Sequence, residues 1–407
     1  KPLPDDSRTK AIFQIFAARA SAELQRLKAE QELRRSEEKF RRIIETTAEG
    51  FMLLDKNFII TDVNHAFCKL VGYRREEVIG STPLKFAEAD YQQFLRINRD
   101  EFFRRRHTQM EGSVMTRSGR IVPVLIQGST LRDGEGEVIG NMVFLIDMTQ
   151  QKRSLALAAE VQRSLLPQRP PPVDGLDIAG RTLSCEEVGG DYFDYLWGLE
   201  CPGDHLSVVV GDVAGHGIDA ALLMTTARAF LRMRAAQCGG ISQIVTEMNR
   251  HLARDINDSG RFMTLAYLRF DVKGGSLEWV RAGHPPVMVY DPKRDRFREL
   301  KGEGLALGVN EHERYTEYTD APLAPGQVIL AGTDGIWESE DRNGVAYGKT
   351  RFQEVIRRNA ADSAQTLLDA VYADIKTFTA GARPQDDITL VVVKIAPRGG
   401  VSIDWQI

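Results

Sequence analysis

From residue 173 onward the chain passes through a series of short, strongly apolar runs: LSVVVGDV, MTLAYLRFDV, SLEWVRA, PVMVYD, QVILAGT and ITLVVVKI. Each is bounded by glycine, proline or aspartate, and several follow one another through hairpin-type turns such as VKGGS and AGHPP. Runs of this length and β-branched content read as strands, and successive hairpins argue against a purely βαβ plan. Helical patterns intervene at IDAALLMTTARAFLRMRAA, ISQIVTEMNRHLARDI and SAQTLLDAVYADIKTFT. The expectation is an α+β layered sandwich over residues 173–396. The tail, 397–407, contains PRGG and reads as a loose end.

The preceding half has a different texture. Residues 11–46 lack Gly and Pro and are rich in Ala, Leu, Glu and Arg, which predicts one long helix. Phe13, Ala20 and Leu27 recur at seven, so the helix reads either as a dimerising coiled coil or as a solvated connector. Residues 1–35 form an N-terminal linker on this reading and 36–152 a small domain. In the latter, FMLLDKNFIITDVN is followed by three strand-like runs separated by RSGR and DGEGE, both hairpin turns. Residues 150–168 predict another helix with an apolar stripe at Ala158, Val161 and Leu165, ending at Pro167 and the rigid RPPP segment. Residues 153–172 are therefore a linker joining the two domains.

Composition narrows the function. With 407 residues, 43% hydrophobic and 27% charged, two or three folded domains are expected. A net charge of -4 disfavours nucleic-acid binding driven by overall positive charge, and Arg104–Arg106 is too short a basic run to change that. No apolar stretch is long enough for a membrane span or a signal peptide, so a cytoplasmic protein is expected. The first residue is Lys, so the sequence reads as a piece of a longer chain. Cys68, Cys185, Cys201 and Cys238 are scattered and read as reduced thiols, and no H-x-x-x-H pair supports a helical zinc site. No G-K-[ST] ending supports a P-loop.

The chemistry-bearing pattern is aspartate at strand-to-turn junctions. Asp191 lies in EEVGGDYFDY, Asp212 ends LSVVVGD, Asp334 follows QVILAGT, and Asp386 and Asp387 open ITLVVVK. One such aspartate is ordinary turn chemistry. Four in order, each beside an apolar strand, would repel one another unless cations lay between them, and hard divalent cations prefer such oxygens.

Two stretches resemble known families. SEEKFRRIIETTAEGFMLLD, ITDVNHAFCKLVGYRREEVIG and GEVIGNMVFLIDMTQQK resemble a PAS sensory domain, a class in which many members bind a small ligand; none is specified here. The flavin-binding cysteine motif is absent, and His65 and His107 read as surface groups in preference to haem ligands. The opening helix also resembles the exit helix of a GAF-type domain. EVGGDYFD, VVVGDVAGHGIDAALLM, AGHPP, LAGTDGIWES and PQDDITLVVVK, preceded by AAEVQRSLLPQ, resemble the metal-dependent PPM phosphatases of the SpoIIE branch. That resemblance implies an αββα sandwich and two divalent cations, Mn²⁺ or Mg²⁺, held by Asp191, Asp212, the Val213 carbonyl, Asp334 and Asp386, with Asp387 ranked below Asp386. It further implies hydrolysis of phosphoserine or phosphothreonine by a water that the two cations activate. The partner implied is a phosphorylated STAS-type anti-sigma-factor antagonist, and the protein a homodimer. A catalytically silent scaffold is the alternative. No role transfers to His216, four places after Asp212, to His284, which reads as a turn cap, or to Arg181.

Overall fold

The computed structural model describes residues 7–198, 205–256, 260–320 and 322–396, divided into two compact units, Lys1–Ser154 and Leu155–Ile407. The first unit contains α1 (Ser7–Thr46), β1 (Gly50–Asp55), β2 (Ile60–Val63), α2 (His65–Val71), α3 (Arg75–Val78), α4 (Ala89–Arg104), β3 (His107–Met115), β4 (Ile121–Arg132) and β5 (Val138–Asp147). Its strands form one antiparallel sheet in the order β2-β1-β5-β4-β3, with RSGR and DGEGE at the two expected turns. Leu54, Ile60, Phe67, Val71, Val122 and Leu145 fill its core. Asn64 is buried yet fully used: Oδ1 accepts from Phe51 N and Phe67 N, and Nδ2 donates to Ile44 O and Glu49 O. One side chain thus caps α2 and ties the end of α1 to β1.

α5 (Thr149–Leu165) leads into the second unit, followed by β6 (Leu176–Leu183), β7 (Tyr192–Trp197), β8 (His205–Val213), α6 (Ile218–Ala235), α7 (Ile241–Ile256), β9 (Met263–Asp271), β10 (Leu277–Ala282), β11 (Val287–Asp291), β12 (Arg296–Leu300), β13 (Tyr318–Asp320), β14 (Val328–Gly332), α8 (Gly335–Glu338), α9 (Gly348–Asn359), α10 (Ala364–Phe378) and β15 (Ile388–Ile395). Two antiparallel five-stranded sheets result, ordered β13-β10-β9-β8-β7 and β12-β11-β14-β15-β6. Alternation along single strands builds three apolar layers. Val208 and Val210 of β8 meet Val391 and Val393 of β15 between the sheets. Val209 joins α6 and α7, while Leu390 and Val392 join α9 and α10. Strands buried on both faces must be apolar at every position, which is why they were visible as runs.

Two expectations are corrected. In α5, Ala158 and Val161 are exposed and Leu165 is half-buried; the buried positions are Ala159 and Gln162. Apolar spacing misled because the inward face carries a glutamine with backbone groups to bind. Cys68 and Cys185 are free, Cys238 is disulfide-bonded against the expectation of a reduced thiol, and Cys201 lies outside the described residues.

β7 carries a polar residue into this core. Asp194 is fully buried, accepts the Tyr192 hydroxyl at 2.7 Å, and receives both Nε and Nη2 of Arg232 at 2.6 Å. This bidentate pair fastens α6 to the strand that follows Asp191. Asp194→Ala would leave the guanidinium and hydroxyl without their acceptor and should cost about 3 kcal/mol, read as a lowered midpoint in thermal or urea unfolding.

Candidate metal centre

The candidate aspartates all sit where strands end. Asp191 immediately precedes β7, Asp212 is the penultimate residue of the adjacent β8, Asp334 follows β14, and Asp386 and Asp387 precede β15 beside it. These ends converge. Asp191 senses the charge of Asp212, and Asp212 senses Asp334, Asp386 and Asp387. The Val213 carbonyl belongs to the same place: a Cβ added to Gly190 would lie 2.9 Å from that oxygen.

Asp387 is the organiser. Its carboxylate is buried and accepts backbone N–H groups from Cys185 at 2.8 Å, Gly190 at 2.7 Å and Asp191 at 3.2 Å. The loop before β7 is folded round this one side chain. Only glycine fits at 189, where a Cβ would lie 2.2 Å from Asp387 Oδ2. Gly335 is constrained in the same way, because its Cβ would lie 2.0 Å from the Asp387 carbonyl. The T-D-G turn and the start of β15 are therefore in backbone contact. Asp386 is exposed and interacts with Asp334 and Asp212, whereas Asp387 is committed to backbone.

Asp191 is almost wholly inaccessible. Its Oδ2 accepts the Thr333 hydroxyl at 2.9 Å, but Oδ1 is buried with no hydrogen-bond partner. Thr333 Oγ1 also accepts Thr389 N at 3.0 Å, so the hydroxyl is aimed by the strand pairing of β14 with β15. Burial first, then the charges of Asp212 and Asp387, hold the Asp191 carboxyl well above the usual carboxylate range. Burial, then Asp334, Asp386 and Asp387, push Asp212 up to about 7. Glu338, one turn into α8, is also raised, by burial and then by Asp334 and Asp386. Burial and Asp387 push the Cys185 thiol up to about 12, which removes it as a thiolate nucleophile.

Two features around this edge were not foreseen. Gln162 of α5 brackets the Gly189 peptide: Nε2 donates to Gly189 O at 2.7 Å and Oε1 accepts Gly189 N at 3.1 Å. Ala159, Val188 and Ala221 pack together beside it, seating α5 on α6. Arg261 binds the Ala214 carbonyl at 3.1 Å and Asp219 at 3.0 Å, which places a guanidinium against the turn after Asp212. The set-aside residues are otherwise engaged. His216 is exposed and pairs with Glu186 at 2.7 Å, Arg181 pairs with Asp369, and His284 is buried outright and caps no exposed turn.

These residues suit hard cations by chemistry. A buried carboxylate oxygen without a partner, in a group of carboxylates that raise one another's pKa, lacks positive charge. Among the described residues no three His, Cys, Asp or Glu side chains close round a single point, so the donors form an open acidic rim. In the first unit, a cavity of about 80 Å³ lies among Met52, Leu54, Phe67, Phe86, Val143 and Leu145. That is smaller than the ~150 Å³ void that takes up benzene, and His65 and His107 are exposed and are not among the residues lining it.

Two stretches of the chain match known families. Residues 202–396 match the family model of stage II sporulation protein E (SpoIIE), and residues 38–148 match the PAS fold. Asp212, Val213, Asp334 and Asp386 fall inside the first match and Asp191 upstream of it. Phosphoserine phosphatase RsbU of Bacillus subtilis (strain 168) is 28% identical over 245 residues, which cover 60% of this chain and 70% of that protein. Phosphoserine phosphatase RsbP of the same organism is 25% identical over 189 residues, covering 43% of this chain and 46% of that one. Among solved structures, the SiaA-PP2C domain of Pseudomonas aeruginosa superposes with a TM-score of 0.51 at 25% identity, over 61% of this chain and 98% of that domain.

Two outcomes follow from the geometry. Gln162→Leu would leave both polar groups of the Gly189 peptide unpaired, at about 1–3 kcal/mol each. It should lower kcat/KM for an aryl phosphate at least tenfold while the circular dichroism spectrum stays folded. The second concerns the protein in chelator. Folded Asp212 keeps a proton up to about 7 that the unfolded chain releases near 3.8. The folded state therefore binds more protons across that interval, and stability falls as pH rises through it. Thermal midpoints measured in chelator should decline from about pH 4 to 7, and Asp212→Asn should flatten the decline.

Proposed function

We propose that this chain, whose residues 202–396 match the SpoIIE family model and whose residues 38–148 match the PAS fold, is a PPM-type phosphatase that dephosphorylates phosphoserine or phosphothreonine on a partner protein. The observation that carries the reading is the unpartnered, buried Oδ1 of Asp191 inside a group of mutually raised aspartates. Asp191, Asp212, the Val213 carbonyl, Asp334 and Asp386 would hold two divalent cations, Mn²⁺ or Mg²⁺. When bound, such ions neutralise phosphoryl charge and lower the pKa of a water towards neutrality.

The chain's own residues supply the positioning. Asp387 fixes the Cys185–Asp191 loop through N–H bonds from Cys185, Gly190 and Asp191, and Thr333 fixes the orientation of the Asp191 carboxylate. Gly190 lets the Val213 carbonyl approach that loop. Arg261 stiffens the turn that follows Asp212. With Cys185 held as a thiol, direct attack by water needs no phosphoenzyme.

Residues 36–152 would be the PAS sensor, 153–172 the linker and 173–396 the phosphatase. Phe13, Phe16, Leu24 and Leu27 of α1 are all exposed, which supports a homodimer formed through that helix. α5 would relay the signal, because its Gln162 touches the Gly189 peptide two residues before Asp191. The partner fitting a relative of RsbU is a STAS-type anti-sigma-factor antagonist in its phosphoserine form. Among the described residues no helix is long and apolar enough to cross a membrane.

The deciding assay measures phosphate release from a phosphoserine STAS-domain protein while Mn²⁺ is titrated. Release should require Mn²⁺ and fall at least a hundredfold in Asp212→Ala and Asp334→Asn. No phosphate release together with no calorimetric Mn²⁺ binding would instead favour the scaffold.

A further inference from the structure

His284 is a titratable side chain with no role in the site as built so far, and its surroundings are unusual. It is completely buried, behind the strand ends that carry the aspartates. Its Nδ1 lies 2.8 Å from Thr264 Oγ1, and Thr264 is the register partner of Asp212 across β8 and β9. The Gly332 backbone also faces the ring; Gly332 ends β14 and leads through Thr333, the donor to Asp191, into Asp334. Nε2 finds no hydrogen-bond partner among the described residues.

The main chain holds the imidazole there. Gly283 has φ +67, and a Cβ on it would meet Ala306 N at 2.8 Å, so the residue before His284 is glycine by necessity. Gly283 N donates to Gly304 O, and the His284 carbonyl accepts Arg281 Nε. Pro285 and Pro286 follow and restrict the chain on the other side. Burial pushes the imidazole pKa down to about 3, so the ring is neutral at any working pH. A neutral ring carries one proton, on Nε2 where Nδ1 accepts the Thr264 hydroxyl and on Nδ1 where it donates to that oxygen, and either arrangement keeps the 2.8 Å bond.

We propose that His284 is a positioning residue for the metal centre: a neutral imidazole strut between Thr264, opposite Asp212 in one sheet, and Gly332, two residues before Asp334 in the other. It sets the spacing of the two sheet edges on which the cation ligands sit. An aliphatic side chain of similar volume fills the same space but loses the Thr264 bond, so the edges are free to drift. This proposal rests on the two-cation reading above, and its test reads cation binding directly.

The experiment compares wild type, His284→Leu, His284→Asn and Thr264→Val in the full chain. Mn²⁺ affinity is measured by calorimetry without substrate, and KM and kcat for an aryl phosphate are measured at saturating Mn²⁺. His284→Leu and Thr264→Val should each weaken Mn²⁺ binding about tenfold or more with KM unchanged. His284→Asn, whose amide can donate to or accept from the Thr264 hydroxyl near the Nδ1 position, should recover most of the affinity. Folded His284→Leu with wild-type Mn²⁺ affinity overturns the proposal. If His284→Leu does not fold, Thr264→Val decides, and unaltered affinity there overturns it. A wild type that binds Mn²⁺ but releases no phosphate would refute the proposed activity while leaving these affinities readable.

Discussion

The three backbone N–H groups gathered by the Asp387 carboxylate are what the catalytic edge depends on. A buried carboxylate is costly unless its lone pairs are met, and here peptide donors from the loop before β7 meet them. The exchange is reciprocal. The loop has no regular structure between β6 and β7, and Asp387 is the template on which it folds. Because Asp387 also opens β15, the template is itself fixed by the pairing of β15 with β6 and β14. Sheet register thus propagates into the placement of Asp191 without any flexible intermediary. The glycines at 189, 190 and 335 complete the arrangement, each admitting a backbone or carboxylate approach that a methyl group would block.

The legible part of the fold was the part buried on both faces. β8, β9, β14 and β15 lie in the middle of sheets covered by helices on one side and the opposite sheet on the other, so apolar residues occupy nearly every position. α7 also stood out, because its buried positions, Ile241, Ile244, Val245, Met248 and Leu252, repeat at helical spacing. β7 did not. Its sequence, YFDYLW, places a charged residue in mid-strand, and the Arg232 partner that makes Asp194 tolerable lies on a helix 38 residues later. α9 was hidden for a different reason: only Phe352, Val355 and Ile356 of GKTRFQEVIRRN are buried, too few to announce a helix.

The site divided along the same line. Asp191, Asp212, Asp334 and Asp386 were picked out because acid beside an apolar strand is anomalous in one dimension. The residues that aim them carried no such anomaly. Gln162 reads as a solvent-facing position in a helix whose leucines and valine look more suited to burial, and only the Gly189 peptide on the other side reveals its role. His284 sits between a glycine and two prolines, which signals a turn, and its burial depends on sheet pairing hundreds of atoms away in the chain. Asp386 and Asp387 are adjacent and chemically identical. What separates them is their place in the bend before β15: Asp387 turns into the loop and is buried, and Asp386 stays exposed on the acidic rim.

The energetic scale of Gln162 limits what α5 could accomplish as a relay. Two hydrogen bonds to one peptide contribute roughly 1–3 kcal/mol net. Moving a two-state equilibrium from almost wholly off to almost wholly on takes about 5.5 kcal/mol. Making and breaking the Gln162 bonds alone therefore shifts activity by something like one order of magnitude or two, not four. A full switch must add the apolar seat at Ala159, Val188 and Ala221, where small side chains let two helices and a loop meet closely. Such a seat is sensitive to helix rotation. A turn of one residue position, about 100°, would carry Gln162 off the Gly189 peptide and Ala159 off Ala221 together. Val161 and Ala158, exposed in this state, are the residues that such a rotation would bring towards the loop, and neither offers the peptide a donor or an acceptor. Under such a rotation the polar and apolar contacts of α5 would be lost or made as one unit, and in the proposed relay that coupling would add the apolar seat to the two Gln162 bonds.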